Sequence, residues 1–198
     1  MCNKLHALGW LLALAMGSAV LPASARAQDP SSSADHPPGN VNELTLAGLR
    51  PGASRISAAI ARFGRHWRHP TPDEADLYIW CDARNRLQLS LEAKPDGTIQ
   101  VVTVDRLWDA PAAGACGATL PEEVGRTGRG VRLGDTVARL DGVYGHPFFD
   151  GPSSWDGHDV HFVVFNFSWA GTDKPQILES SFDDAGKLVK LTLSAEYY

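Results

Sequence analysis

The sequence GLRPGAS at residues 48–54 returns as GVRLGDT at residues 130–136, with glycine, arginine and glycine in the same register. The similarity continues beyond these stretches, because the apolar residues that follow each one have helical spacing and both copies then reach a glycine and a proline. An internal similarity at a fixed offset predicts that the chain contains one structural unit twice.

A short amphipathic helix is predicted after each stretch. The apolar positions are Ile56, Ala59, Ile60 and Phe63 in the first copy and Val137, Leu140 and Tyr144 in the second. Ser54, and Asp135 or Thr136, have side chains suited to capping these helices. Gly64 and Gly145 are suited to ending them.

Three strand-like runs follow each predicted helix. They are Leu77–Asp82, Arg86–Leu91 and Thr98–Asp105 in the first copy, and Val160–Trp169, Gln176–Phe182 and Lys187–Ala195 in the second. Apolar and polar residues alternate along residues 87–92 and 189–194, which predicts sheets with helices on one face only. The expected fold class is α+β, with two tandem helix-plus-three-stranded antiparallel meander repeats that either share a sheet or pack their cores together.

The first residues resemble an export signal. Lys4 precedes an apolar run at residues 7–21, and Ala25-Arg26-Ala27 provides small side chains for cleavage. An uncleaved anchor is the alternative, and the absence of cysteine between Cys2 and Cys81 argues against a lipid anchor. The expected organisation is a signal peptide at residues 1–27, a flexible leader at 28–43, repeat 1 at 44–110, an inter-repeat linker at 111–129 and repeat 2 at 130–198.

Composition narrows the class of protein. The chain has 198 residues and 43% apolar content, which is enough for a core and excludes general disorder. Its formal charge is −5, and cleavage after residue 27 would leave 16 basic against 23 acidic residues, a charge of −7. No nucleic-acid partner is therefore expected. No membrane insertion is expected after cleavage either, because no other segment has the apolar length to span a bilayer.

Cys81 and Cys116 remain after cleavage of the signal peptide. We predict a disulfide between them, because an exported protein folds where disulfides persist. Two buried thiols or a redox pair are the alternatives, although the close C-x-x-C spacing of a redox pair is absent.

The G-x-x-x-G stretches, the amphipathic helices, the sequence GHP at residues 145–147 and the closing FDDAGKLV at residues 182–189 together resemble a known repeat. It is the repeat of the small lipoprotein of the outer-membrane β-barrel assembly machinery, which also occurs in tandem in secreted β-lactamase inhibitor proteins. The resemblance covers about residues 44–198. It implies a protein-binding or envelope-associated module without catalysis.

Candidate chemistry is sparse. His66 and His69 have an H-x-x-H spacing, but the flanking prolines and arginines favour a loop without a metal. Asp159 and His161 would share a strand face and could serve an enzyme or a metal or ligand site, although no third ligand or nucleophile accompanies them. No serine nucleophile motif and no phosphate-binding loop occur. We therefore expect no cofactor and no metal.

Aromatic residues are the better candidates for function. Phe148, Phe149 and Trp155 lie in a stretch rich in Gly, Pro, Asp and Ser, and Trp80 lies on a strand. Aromatic anchors framed by polar residues are typical of protein interfaces. The sequence predicts a soluble, exported, periplasmic or secreted interaction module that is not an enzyme and binds a protein partner through Trp80, Phe148, Phe149 and Trp155. An enzyme or metal or ligand site at Asp159 and His161, or a ligand pocket between the repeats, is the alternative.

Overall fold

The computed structural model describes residues 45–71, 76–109, 111, 116–167 and 176–195. The predicted signal peptide and leader, and residues 168–169 of one predicted strand, lie outside these ranges. The described elements are the helices α1 (Ile56–Phe63) and α2 (Val137–Tyr144), a 3₁₀ helix (Glu122–Gly125), and the strands β1 (Trp67–Arg68), β2 (Leu77–Asp82), β3 (Leu87–Ala93), β4 (Ile99–Arg106), β5 (Phe149–Trp155), β6 (His158–Phe167), β7 (Gln176–Phe182) and β8 (Leu188–Ala195). Within the described ranges, no helix is long and apolar enough to cross a bilayer.

The eight described strands form one antiparallel sheet in the order β1-β2-β3-β4-β8-β7-β6-β5. β4 and β8 join the two halves of the chain, with Val102 opposite Leu193 and Val104 opposite Leu191. The prediction of two helix-plus-three-stranded meander repeats is therefore wrong, because the fold is mostly a single eight-stranded sheet with two short helices. A three-stranded sheet under one eight-residue helix buries little apolar surface. Pairing β4 with β8 removes two open edges at once.

The periodicity did not predict β1 and β5, which are the two edge strands of this sheet. β5 has the sequence FDGPSSW, whose glycine, proline and serines are typical of a loop. It pairs along its length with β6 because Asp156 and Gly157, with φ of 51° and 76°, form a two-residue hairpin turn. Tertiary pairing therefore made a strand from residues of low strand propensity.

Gly52 and Gly134 lie just before α1 and α2 and have φ of 78° and 93°, a conformation that favours glycine. The N–H of Gly52 donates to the carbonyl of Ile99, and the N–H of Gly134 donates to the carbonyl of Leu188, each at 2.8 Å. The two glycines thus attach the chain ahead of each helix to the first residue of β4 and of β8.

The side chains expected to cap the helices bind elsewhere. Neither helix has a side-chain capping hydrogen bond. The Ser54 hydroxyl accepts the N–H of Arg50 at 2.9 Å, and the Asp135 carboxylate accepts the N–H of Arg132 at 3.0 Å. Both side chains close the preceding turn, so the capping prediction is wrong. Each helix does end at a glycine of positive φ, as predicted.

Both helices cover the same face of the sheet. Phe63 of α1 contacts Trp80, with ring centroids 6.0 Å apart, and Tyr144 of α2 lies 5.4 Å from the ring of Phe165. These side chains belong to one continuous core. The opposite side of the sheet, termed the helix-free face, consists of the alternate residues of the same strands.

The predicted disulfide joins Cys81 to Cys116, whose Cα atoms are 4.7 Å apart, so the two cysteines are not free thiols. Beside it, the N–H of Ala118 donates to the carbonyl of Cys81 at 3.1 Å, and the N–H of Leu120 donates to the carboxylate of Asp82 at 2.8 Å. These contacts fasten residues 116–120 to the end of β2. A disulfide of this kind indicates a non-cytoplasmic protein.

Candidate interaction surface

Two adjacent phenylalanines project from the surface where β5 begins. Phe148 is 78% exposed and Phe149 is 47% exposed. The N–H of Phe148 donates to the carbonyl of Val164 at 2.7 Å, which holds the backbone of the pair against β6. β5 begins at Phe149 and Phe148 directly precedes it, so both rings extend from backbone that is held against β6.

The ring of Phe149 lies on the helix-free face beside Phe162, with centroids 6.1 Å apart. A Cβ atom added to Gly151 would lie 3.1 Å from Cζ of Phe149, so the missing side chain leaves room for this ring. Val164 lies opposite Phe149 in the β5–β6 register. We term Phe148, Phe149, Phe162 and Val164 the phenylalanine patch.

The backbone of β5 is less suited to binding than its side chains. An edge strand exposes unpaired donors and acceptors, to which another chain can add a strand. Pro152, in the middle of β5, has no N–H and interrupts the row of donors. Contacts through the phenylalanine patch are therefore favoured over strand addition along β5.

A second aromatic group lies at the other end of the β5–β6 hairpin. The ring of Trp155 lies 5.7 Å from that of Trp108, and Trp108 stacks on His158 with centroids 4.3 Å apart. The Lys190 ammonium lies 5.0 Å from the centroid of the Trp155 ring, within cation–π distance. We term Trp108, Trp155, His158 and Lys190 the tryptophan cluster.

Sequence reasoning missed Trp108. It is the only aromatic residue in the stretch from the end of β4 to the 3₁₀ helix, and a large indole is rarely left in water, so its presence was a usable signal. Its indole nitrogen is buried and has no hydrogen-bond partner among the described residues.

Asp105 of β4 adjoins the tryptophan cluster, because it lies opposite Lys190 in the β4–β8 register. Its side chain is 6% exposed. Burial raises the pKa of Asp105 to about 7, the Lys190 ammonium opposes this rise and the Asp156 carboxylate adds to it. A carboxyl that titrates near neutral pH marks a candidate functional group, although structural networks produce such shifts too.

Trp80 does not belong to an exposed surface. Its side chain is fully buried, and its indole N–H donates to the carbonyl of Gly64 at 3.0 Å. The prediction that Trp80 contacts a partner is therefore wrong. Alternation along β2 shows which residues share a face but not which face α1 covers.

The polar residues at the start of β6 do not assemble a metal site. Nε2 of His161 lies 2.8 Å from the carboxylate of Asp150, and Asp159 is exposed. Nδ1 of His69 bonds to a backbone carbonyl at 2.7 Å, and His66 is exposed. No group of three His, Cys, Asp or Glu residues in the described part of the chain could hold a metal ion.

No protein-family model matches the sequence, and no curated protein matches it. Among solved structures, the chain is similar to a DUF4309 family protein (YjgB) from Bacillus subtilis, with 14% identity and a TM-score of 0.44, over 75% of this chain and 83% of that chain. A similarity of this size supports no conclusion about function. None of these comparisons bears on the resemblance to the assembly lipoprotein or the inhibitor repeats.

A cleft of about 380 Å³ lies between the β2–β3 turn, the 3₁₀ helix and the loop before α2. Its charged lining consists of Arg106, Arg132, Glu122 and Asp135. Arg132 already lies 3.9 Å from the carboxylate of Asp135. Because the lining charges balance, the cleft favours no particular ligand charge.

Proposed function

We propose that the chain is an exported, non-catalytic protein-interaction module of the bacterial cell envelope that binds a protein partner through the phenylalanine patch. The observation that carries the proposal is the exposure of Phe148 and Phe149, at 78% and 47%, at the hydrogen-bonded start of β5. Aromatic anchors held by a rigid scaffold dominate many protein interfaces, because they bury large areas with little loss of conformational freedom.

Export is supported by the sequence and by the disulfide. Residues 1–27 have the charge, apolar length and small residues of a cleavable signal peptide. The Cys81–Cys116 disulfide supports export, because disulfides persist in oxidising compartments and are rare in the cytosol. We therefore assign the mature chain to the periplasm or the exterior.

The energetic case for the patch rests on apolar area. Full burial of a phenylalanine side chain contributes roughly 1.5–3 kcal/mol, so an exposed neighbouring pair can supply several kcal/mol to a complex. Pro152 disfavours strand addition beside the patch. The partner is accordingly a protein with an apolar pocket or groove that receives side chains.

Trp155 is a weaker contact in this proposal. Its ring already packs against Lys190 and Trp108, so part of its surface is used within the chain. We assign Trp155 mainly to holding the hairpin that carries the patch. His161 and Asp159 receive no catalytic role, because the His161 imidazole pairs with Asp150 and no nucleophile accompanies them among the described residues.

The test identifies the partner by crosslinking the tagged chain in its native envelope and then measures the affinity of the purified partner for variants. Phe148→Ser and Phe149→Ala are each expected to weaken binding about tenfold or more. His161→Gln and Asp159→Asn are matched controls, because they lie on the same hairpin but alternate with Phe162, and should change affinity about twofold at most. Loss of binding in the controls, with full binding by the phenylalanine variants, would overturn the proposal.

A further inference from the structure

Lys190 of β8 is close to two side chains, the carboxyl of Asp105 and the indole of Trp155. It lies opposite Asp105 in the β4–β8 register, and its ammonium lies 5.0 Å from the ring centroid of Trp155. Lys190 and Asp105 do not form an ion pair in the described part of the chain. The ammonium therefore lies on the indole and not on the carboxylate.

We propose that Lys190 is a proton-controlled latch for the β5–β6 hairpin. While Asp105 holds its proton, the ammonium stays on Trp155 and keeps the hairpin against β8. When Asp105 releases its proton to solvent, the ammonium moves to the carboxylate and frees Trp155. The only bond broken is the O–H bond of Asp105, whose electron pair stays on the carboxylate.

Because Asp105 is buried, its ionised carboxylate is stabilised mainly by the Lys190 ammonium. Asp105 is 6% exposed, so its negative charge has little access to water and must be balanced by a nearby cation. Residues directly opposite on neighbouring strands have Cβ atoms about 5 Å apart, and the flexible lysine stem allows either position. The pKa of Asp105, about 7, places the exchange near neutral pH.

The charges around Asp105 couple its ionisation to release of the hairpin. Lys190 on β8 lowers the pKa of Asp105, and Asp156 in the β5–β6 turn raises it. Gln88, the partner of Asp105 on β3, is neutral. Because Asp156 lies at the tip of the hairpin, release of the hairpin would move its charge away and favour ionisation of Asp105 further. On β6, Asp159 and His161 alternate with His158, so His158 is the titratable side chain that shares the helix-free face with Asp105. The test must therefore separate His158 from Asp105.

The latch does not depend on the proposed partner, and its test needs none. Amide hydrogen exchange of the full chain is measured at about pH 5.5 and about pH 8.5, after correction for intrinsic exchange rates. Protection of amides in residues 150–160 is expected to fall by about fivefold at the higher pH, the size of one lost cation–π contact. Amides of β3 report the global stability, which also falls as Asp105 ionises, and they should stay more strongly protected than the hairpin at both pH values.

Three variants test which side chains produce the pH response of the hairpin. Asp105→Asn should keep the hairpin protected at both pH values, because it cannot ionise. Lys190→Met retains the apolar stem without the ammonium and should leave the hairpin weakly protected at both. His158→Gln should retain the pH response. The proposal fails if Asp105→Asn keeps the response, if His158→Gln abolishes it, or if hairpin protection in Lys190→Met still falls between the two pH values as it does in the wild type.

Discussion

The indole of Trp108 stacks on the imidazole of His158, with ring centroids 4.3 Å apart and ring planes inclined by 26°. Trp108 follows the end of β4 and His158 begins β6, and these strands are not neighbours in the sheet. The contact therefore ties the segment after β4 to the tip of the β5–β6 hairpin, so that the two halves of the chain meet at a point beyond the β4–β8 pairing.

Trp108→Ala is expected to lower the free energy of unfolding by about 2 kcal/mol, because it removes the packing against both His158 and Trp155. Urea denaturation measures the change. Trp108→Phe keeps a ring in place and should lose less than half as much. An alanine variant as stable as the wild type would show that the cluster contributes no stability.

Removing the disulfide with Cys81→Ser and Cys116→Ser together should lower the free energy of unfolding by about 4 kcal/mol, from the entropy of closing a loop of this length. The two cysteines are separated by 35 residues in sequence. Hydrogen exchange should become faster at residues 116–120, which the bridge holds against β2. Unchanged stability and exchange in the double variant would contradict this role.

Asp105 is expected to make stability fall as the pH rises. Its pKa in the folded protein, about 7, lies above the ordinary value of 3.8, so folding favours the protonated form. This contribution is complete below about pH 4 and is lost as the pH rises through about 7. Asp105→Asn should exceed the wild type in stability above about pH 7 by roughly 2–4 kcal/mol. Urea denaturation across this range tests it, and an unaltered pH slope in the variant would refute it.

Asp82 should show the opposite pH dependence. Burial acts to raise the pKa of Asp82, but hydrogen bonds from the amides of Leu120 and Asn85 outweigh it and lower the pKa below the ordinary 3.8. Its contribution is therefore present at neutral pH and is lost as the pH falls below about 4. Asp82→Ala should cost about 1–3 kcal/mol at pH 7, because the Leu120 amide loses its acceptor. A loss that persisted undiminished at about pH 2 would argue against this explanation.

Exposed and buried aromatic residues should respond differently to truncation. Trp80→Ala is expected to lower the free energy of unfolding by about 3–5 kcal/mol, because Trp80 is fully buried. Phe149→Ala should change it by less than about 1 kcal/mol, because nearly half of the ring is exposed. Thermal denaturation of both variants measures these two changes in stability. A large loss of stability in Phe149→Ala would assign that ring a structural role.

Local patterns along the chain were enough to predict several elements. Apolar spacing of three and four residues predicted α1 and α2, and strand-like composition predicted β2 and β7 with their observed bounds. The pairing of Cys81 with Cys116 followed from the predicted export signal, beyond which these are the two cysteines of the chain. These features depend on short-range backbone preference, on residue composition and on the presence of two cysteines that can pair only with each other. All of this information is present in the one-dimensional sequence.

Contacts between distant residues produced the features that local patterns could not predict. β5 is a strand because β6 pairs with it, and the single sheet exists because β4 meets β8. Trp80 became a core residue when α1 covered its face, whereas Phe149 stayed exposed beyond the reach of both helices. Asp105 acquired its raised pKa from desolvation in the assembled sheet. Each of these outcomes depends on which surfaces lose water, and burial is a property of the packed molecule that no short stretch of sequence contains.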